Sequence, residues 1–310
     1  MGQNEAIGRV TVIGSLNMDL VARAPRLPRP GETLAGHAFT QVPGGKGGNQ
    51  AVAAARLGAQ VAMIGCVGDD SHGATLRGSL EAEGIDCTAL ATSPGVPTGV
   101  ALIVVDDASQ NAIVIVAGSN AEVTPASIDA REALIAQADV VVCQLETPLE
   151  TVRAALAMAR RLQRTTVLNP APAARKLPPD WFPLIDYLIP NEIEAATLSG
   201  VAISTPDDAR RAAQALKAKG ARNVIVTLGA QGVLALLEGA DEAGAHLPSP
   251  VVEAVDTTAA GDTFIGGFAA ELARGAAVLD AIAFGQRAAA VAVTRAGAQP
   301  SIPRRGEITA

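Results

Sequence analysis

The run Asp256-Thr257-Thr258-Ala259-Ala260-Gly261-Asp262-Thr263-Phe264 holds small residues at a tight turn and ends it on one carboxylate. An apolar, small-residue helical pattern follows at once through Phe264, Ile265, Phe268, Ala269 and Leu272. The first N–H groups of a helix lack intrahelical partners and carry partial positive charge from the helix dipole. Side chains as small as those of Ala259, Ala260 and Gly261 let a phosphate reach them. A carboxylate inside such an anion hole is electrostatically misplaced unless it has a task. Taking the proton of a hydroxyl that attacks the phosphate is such a task. Helix capping is the alternative reading of Asp262, because Asp favours that position.

Further stretches could serve that chemistry. In Gly14-Ser15-Leu16-Asn17-Met18-Asp19, Asn17 and Asp19 fall on one side of an extended segment. An amide and a carboxylate there suit the vicinal hydroxyls of a sugar, and an Asx turn accounts for the same residues. Pro43-Gly44-Gly45-Lys46-Gly47-Gly48-Asn49-Gln50 precedes a helix without the spacing of a Walker A loop. Its glycines bring the backbone near a ligand, while Lys46 and Asn49 offer donors. The proline and the immediate helix start favour a fixed conformation over a solvated loop. Gln144-Leu145-Glu146 ends a strand pattern, which puts Glu146 either where α/β sheets bind ligands or on the surface.

One helical turn would place Asn191 and Glu194 on a common face. Hard oxygens near a phosphate suit Mg²⁺, often through water, and a capping box explains the same pair. Thr227-Leu228-Gly229-Ala230-Gln231-Gly232 closes a strand with a glycine turn that fits a nucleotide edge or an ordinary hairpin. Thr294 to Ser301, taken alone, is a loop.

Positioning these residues falls to short β-branched runs that alternate with alanine-rich helical patterns. Strands are predicted at Val10–Gly14, Val61–Ile64, Val140–Leu145, Thr166–Leu168, Tyr187–Ile189 and Asn223–Thr227. Helices are predicted at Gln50–Leu57, Ala74–Glu83, Leu149–Leu162, Glu192–Leu198 and Asp207–Lys219, several of them stopped by glycine. This alternation predicts a mainly parallel sheet with helices on both faces, binding ligands beyond the carboxyl ends of its strands. Two segments break the rhythm. Leu20–Gln41 has prolines and no helical period, and Gly99–Val105 with Ala112–Ala117 reads as a hairpin. Together they predict a small antiparallel sheet, either a lid that excludes water or a decorating hairpin.

The 310 residues are 49% hydrophobic and 18% charged, a globular composition. A net charge of -7 argues against the basic footprint of a nucleic-acid binder. Cys66, Cys87 and Cys143 have neither metal nor disulfide spacing, which points to a reducing compartment. Met1 to Arg9 carries no apolar signal core, and no apolar run approaches a bilayer span, so a soluble cytoplasmic protein is expected. Lysine is scarce: apart from Lys46, only Lys176, Lys217 and Lys219 occur.

Laid out in order, the stretches resemble the ribokinase-like (PfkB) family of carbohydrate kinases from Val10 to about Pro303. The G-G-K-G-x-N-Q-A and D-T-x-A-A-G-D-T-F signatures carry the resemblance. G-S-x-N-x-D, Q-L-E, N-P-A-P-A from Asn169, P-N-E-x-E-A and V-T-x-x-G-A-Q-P-S align it with the ribose-phosphorylating members. The resemblance implies a three-layer α/β sandwich with a mainly parallel central sheet and a small β-sheet lid. It implies one domain over 1–310, with lid insertions at about 19–43 and 97–118. The implied reaction is ATP-dependent phosphorylation of D-ribose at its 5-hydroxyl.

By the same resemblance, Asp262 is the general base, and the backbone around Ala260 and Gly261 stabilises the transferring phosphoryl group. Asn17, Asp19, Gly45, Lys46, Gly47, Gly48, Asn49, Glu146 and Asp262 match sugar-binding positions. Asn191, Thr227, Leu228, Gly229, Ala230, Gln231, Gly232, Gly261, Asp262 and Gln286 match nucleotide positions. Glu194 matches an acid that organises Mg²⁺ through water. Asp256, Thr258, Ala292, Arg295, Gly297 and Ser301 match a monovalent-cation site for an activating K⁺. The family's lid implies a homodimer, with no nucleic-acid or membrane partner. Gln286 stands where Asn or His is commoner, and Ile265-Gly266-Gly267 where Asn-Gly-Ala is. The alternatives are a kinase for another sugar such as 2-deoxyribose, a purine nucleoside kinase, or a non-catalytic sugar-binding protein. Retention of Lys46 and Asp262 speaks against the last, and a dehydrogenase lacks its fingerprint after the first strand.

Overall fold

The computed structural model describes residues 7–108, 110–173, 177–241 and 243–309. Of the expectations above, those touching residues 1–6 and 310, Ser109 in the hairpin turn and Lys176 fall outside them. Thirteen strands are described: β1 Arg9–Ile13, β2 Asn17–Ala24, β3 Ala38–Gly44, β4 Gln60–Gly68, β5 Leu90–Ser93, β6 Gly99–Asp106, β7 Asn111–Val116, β8 Val140–Cys143, β9 Thr165–Leu168, β10 Tyr187–Leu188, β11 Asn223–Thr227, β12 Val233–Leu236 and β13 Ala245–Leu247. The helices are α1 Lys46–Arg56, α2 Ser71–Ala82, α3 Pro125–Asp129, α4 Glu132–Gln137, α5 Leu149–Arg161, α6 Glu192–Ser199, α7 Pro206–Ala218, α8 Ala260–Ala273 and α9 Val278–Ala292.

Nine strands form the central sheet in the order β13-β12-β11-β10-β9-β8-β1-β4-β5. It is parallel from β5 to β11, and β12 and β13 add antiparallel pairings at one edge. Its middle strands are nearly continuous apolar runs, as in Val140–Cys143, because helices cover both faces. Order reverses at β1, which pairs with β4 on one side and β8 on the other. The expected βαβ rhythm and mainly parallel sheet are both present. The edge strands β12 and β13, with the short β5, α3 and α4 and the long α9, were not predicted.

The interrupting segments form a second sheet, ordered β3-β2-β6-β7. Its β2–β3 and β6–β7 pairings are antiparallel, as the hairpin pattern predicts. The joining β2–β6 pairing is parallel, since each strand leaves the carboxyl end of a parallel strand, β1 or β5. The register sets Asn17 opposite Gly44 and Gly99, and Asp19 opposite Val42 and Ala101.

One boundary differs from the prediction in a way that matters. Lys46, Gly47, Gly48 and Asn49 are not a loop before a helix but the first turn of α1 itself. Two glycines in a first turn disfavour a helix, yet tertiary contact requires them here. A Cβ on Gly47 would come within 2.6 Å of Ser15 N, and one on Gly48 within 2.9 Å of Leu16 Cδ2. The same logic explains Gly266 in α8, whose Cβ would meet Ala53 Cβ at 2.4 Å. Thus α1 and α8 approach backbone to backbone, and their first turns come together. Phe268 of α8, fully buried, packs edge-on against Tyr187 and parallel to Phe264.

Candidate active site

The orphan donors at the start of α1 are met by the chain segment that precedes β2. Gly48 N–H donates to Ser15 O at 2.9 Å, and Gly47 N–H to Ser15 Oγ at 3.3 Å. Lys46 N–H donates to Glu146 Oε2 at 3.1 Å, and Ser15 Oγ–H to the same oxygen at 2.5 Å. Glu146, just beyond β8, is therefore the anion at the start of this helix, where the dipole favours it. Gly45, at φ 81° in the left-handed region, makes the turn into α1 with no room for a Cβ against Asn17 N at 2.7 Å.

Asn17 is buried in β2, and its Oδ1 accepts from Asn120 Nδ2 at 2.8 Å. Asn120 also clamps Leu16, accepting from its N–H and donating to its carbonyl. Asp19 lies two residues on, packed so closely on Gly44 that a Cβ there would sit 2.3 Å from its carboxylate. Burial, then the carboxylates of Glu146 and Asp262, push the Asp19 carboxyl up to about 7.

Asp262 occupies the first turn of α8 and is 8% exposed. Its Oδ2 accepts from Asn49 Nδ2 at 3.1 Å and its Oδ1 from Gln50 Nε2 at 2.9 Å. It makes no capping bond, because Ala259 is the N-cap. Ala259 takes φ 59° there, a left-handed conformation costly for a residue with a Cβ. Ala260 N–H donates to Thr257 O and Thr263 N–H to Ala259 O. Between them, the N–H groups of Gly261 and Asp262 find no acceptor among the described residues. A Cβ on Gly261 would meet nothing within 4 Å, so that side of the turn is open.

The opening faces a cavity of about 210 Å³. Lys46, Asn191, Glu194 and Thr227 line it together with Thr257 and Ala259 to Asp262. Burial works against the Lys46 ammonium, but Asp262, Glu146 and Glu194 outweigh it and hold the group above its ordinary value. A larger hollow of about 660 Å³ lies at the opposite ends of the strands. Its Arg160 and Arg222 both spend an Nη1 on Asp186 Oδ1 at 2.7 Å.

Asn191 and Glu194 form a capping box on α6, as the alternative reading held, and they also line the cavity. Glu194 accepts from Asn191 N–H at 2.9 Å and Asn191 Nδ2 at 3.0 Å. Burial pushes its carboxyl up against these bonds. The Thr227–Gly232 turn is a 3₁₀ hairpin between β11 and β12, with Thr227 on the cavity and Ala230 and Gln231 exposed. Gln286 is buried, with Nε2 donating to Leu247 O at 3.0 Å, so that donor is committed to the protein.

Asp256, Thr258 and Gly297 also come together. Asp256 Oδ1 accepts from Thr258 N–H and Oγ1–H, and its Oδ2 from Gly297 N–H at 2.8 Å. Although burial opposes it, these bonds hold the carboxyl below its ordinary value. Val293 O accepts from Val255 and Asp256, tying the strap before α8 to the end of α9, where Ala292 lies, and to the segment after it that holds Arg295 and Ser301. The Arg295 side chain, itself a cation, turns to Glu307 at 2.5 Å, and Ser301 Oγ–H donates to Ala298 O, which leaves the lone pairs of that hydroxyl oxygen uncommitted.

Sequence reasoning quoted Ser15, Gln50, Gln144 and Asn169 inside motifs without giving them a role, and passed over Asn120. The signal for Gln50 was its place next to Asn49. Asn120 offered no local signal, since its partners lie about a hundred residues away.

Residues 8–305 match the pfkB family carbohydrate kinase model. The chain is 45% identical to a ribokinase of Haemophilus influenzae over 96% of each protein. It is 39% identical to a deoxyribokinase of Salmonella typhi over 95% of each. Among solved structures, a Thermotoga maritima ribokinase superposes with a TM-score of 0.87 at 38% identity, covering 97% of this chain and 98% of that one. An Arabidopsis thaliana ribokinase complexed with ribose and ATP superposes at 0.91 with 28% identity, covering 98% of both. With its two signature turns meeting at Asp262 and residues 8–305 matched, the chain belongs to the pfkB family of carbohydrate kinases.

Proposed function

We propose that the chain transfers the γ-phosphoryl group of ATP to the 5-hydroxyl of D-ribose, giving ribose 5-phosphate and ADP. One observation carries this reading: Asp262 sits where the open N–H groups of α8 meet the polar first turn of α1. Asp262 takes the proton of the 5-hydroxyl as that oxygen bonds to the γ-phosphorus and the bond to the ADP oxygen breaks. The N–H groups of Gly261 and Asp262 receive charge on the transferring group. Lys46 adds a half-buried cation beside them, and Asn17, Asp19, Gly45, Asn49 and Glu146 form the sugar side. Asn191 and the Thr227–Gly232 turn form the nucleotide side, with Gln286 bracing its wall through Leu247. The β3-β2-β6-β7 sheet is the lid over the sugar, within a single domain. Ribokinase relatives of high coverage, and a ribokinase structure holding ribose and ATP, support the reaction.

Among the described residues, no cluster of three acidic, His or Cys side chains could hold a metal unaided. Glu194 offers one buried carboxylate on the cavity, already hydrogen-bonded. That donor set fits a Mg²⁺ held chiefly by phosphates and water and met by Glu194 through water, rather than a preformed cage. When bound, the ion would neutralise phosphate charge. The Asp256, Thr258 and Gly297 cluster, with backbone carbonyls near Ala292, Arg295 and Ser301, fits an activating K⁺ that shapes the strap leading into α8.

A second copy of the chain is proposed to cover the lid edge. All six residues of β7 are exposed, including Ile113, Val114, Ile115 and Val116, and an unprotected apolar edge strand is a pairing site. Three free, buried cysteines and the need for ATP support an intracellular setting; among the described residues no helix is long and apolar enough to cross a membrane.

A sugar panel with ATP, run in K⁺ and in Na⁺, tests the proposal. Ribose-dependent ADP release, faster in K⁺, is the expected result. Faster turnover of 2-deoxyribose than ribose would move the assignment to the deoxyribokinase-like alternative. Equal rates in K⁺ and in a large organic cation would remove the cation role.

A further inference from the structure

Gln50 is fully buried, and the sugar and nucleotide readings give it no task. Its Nε2 donates to Asp262 Oδ1 at 2.9 Å and to Asn169 Oδ1 at 3.2 Å, and its Oε1 accepts from Gln144 Nε2 at 2.6 Å. Asn169 Nδ2 in turn donates to Ile189 O at 3.0 Å and to Glu194 Oε2 at 3.4 Å. A backbone carbonyl can only accept, so Ile189 fixes which end of the Asn169 amide faces it. The Asn169 oxygen then needs a donor, which fixes Gln50, and the Gln50 oxygen needs a donor, which fixes Gln144. Every member is thereby oriented: Gln50 and Asn169 point N–H groups at the carboxylates of Asp262 and Glu194, while Gln144 Oε1 is buried without a partner.

We infer that Gln50 is a positioning residue for Asp262, locked in its donor orientation by Gln144 and Asn169, and that this amide chain joins the base to Glu194 across the cavity. Asn49 holds one carboxylate oxygen and Gln50 the other, so the carboxylate plane cannot turn toward a helix-capping geometry. Each oxygen keeps a lone pair for the sugar hydroxyl. Burial alone would be satisfied by any polar contact, whereas a chain polarised from Ile189 O to Asp262 aims the group.

The inference rests on Asp262 being the base, and the test separates the two. Gln50→Met keeps the volume and removes the amide. In the full-length enzyme kcat is expected to fall roughly 10- to 100-fold, with the ribose KM changed less than about threefold, as for other orienting partners. In an Asp262→Asn background the same change should alter the residual rate by less than about twofold, because its effect runs through the carboxylate. Gln144→Met, one bond further out, should repeat the pattern with a smaller loss. A kcat within about twofold of wild type for folded Gln50→Met, or an equal loss in both backgrounds, would overturn the positioning role. Failure of both variants to fold would assign the chain to core stability and overturn it too. An Asp262→Asn enzyme with undiminished turnover would instead sink the base itself.

Discussion

Asn49 Nδ2 donates to Asp262 Oδ2 at 3.1 Å, joining the first turns of two helices whose residues lie 213 apart in sequence. The other end of the same amide is unfinished: Asn49 Oδ1 is buried with no hydrogen-bond partner. A buried acceptor left unpaired costs about 1–3 kcal/mol, and a sugar hydroxyl would supply the donor. Asn49→Ala is therefore expected to raise the ribose KM by roughly 10- to 100-fold, since about 1.4 kcal/mol is tenfold. Steady-state kinetics with varied ribose at saturating ATP check this, and an unchanged KM would detach Asn49 from the sugar.

Asp19 gives a pH dependence with a definite sign. Its folded pKa, about 7, lies above the ordinary carboxyl value. The folded chain thus keeps a proton that the unfolded chain gives up, and this group's contribution to stability declines as pH rises toward 7. Ribose hydroxyls favour the ionised carboxylate, so binding should lower this pKa and release protons near neutrality. Titration calorimetry at pH 7 in buffers of different ionisation enthalpy should record that release, with ribose affinity increasing from pH 6 to pH 8. Asp19→Asn should abolish the buffer dependence. Proton uptake by the wild type would reverse the assignment.

The left-handed Ala259 at the entry to α8 predicts a trade between stability and turnover. Glycine adopts this conformation without the Cβ clash, which costs about 1–2 kcal/mol, but adds freedom to the unfolded chain. Ala259→Gly is expected to stabilise the fold by up to about 1 kcal/mol by chemical denaturation. The loosened turn should lower kcat with little change in ribose KM. Destabilisation by the substitution would show that the Ala259 methyl packs favourably enough to outweigh the strain.

Much of this was legible before the fold was known. The alternation of β-branched runs with alanine-rich helices gave the parallel sheet, and the Gly99–Val105 and Ala112–Ala117 runs gave the β6–β7 hairpin. Both patterns are local, set by side-chain periodicity. Asn191 and Glu194 were equally legible as a cap and as a cavity pair, and they serve as both because a helix start at a strand end is itself where anions bind. The start of α1 was not legible. Glycine propensity argues for a loop, and only contact with Ser15 and Leu16, some thirty residues earlier, reverses it. The amide chain through Gln50, Gln144 and Asn169 was hidden for the same reason: its partners lie 94 to 212 residues away from Gln50. Gln286 shows the limit of carrying a position over by motif, since its donor turned out to be committed to Leu247.

The central claim is that Asp262 removes the proton of the sugar hydroxyl. Asp262→Asn keeps the size of the side chain and takes away the base. The decisive measurement is kcat of this variant with ribose and ATP in K⁺, alongside ribose and ATP binding by calorimetry. A fall of about 10²–10⁴-fold in kcat with binding retained is predicted. Turnover at the wild-type rate, with both ligands bound, would contradict the account.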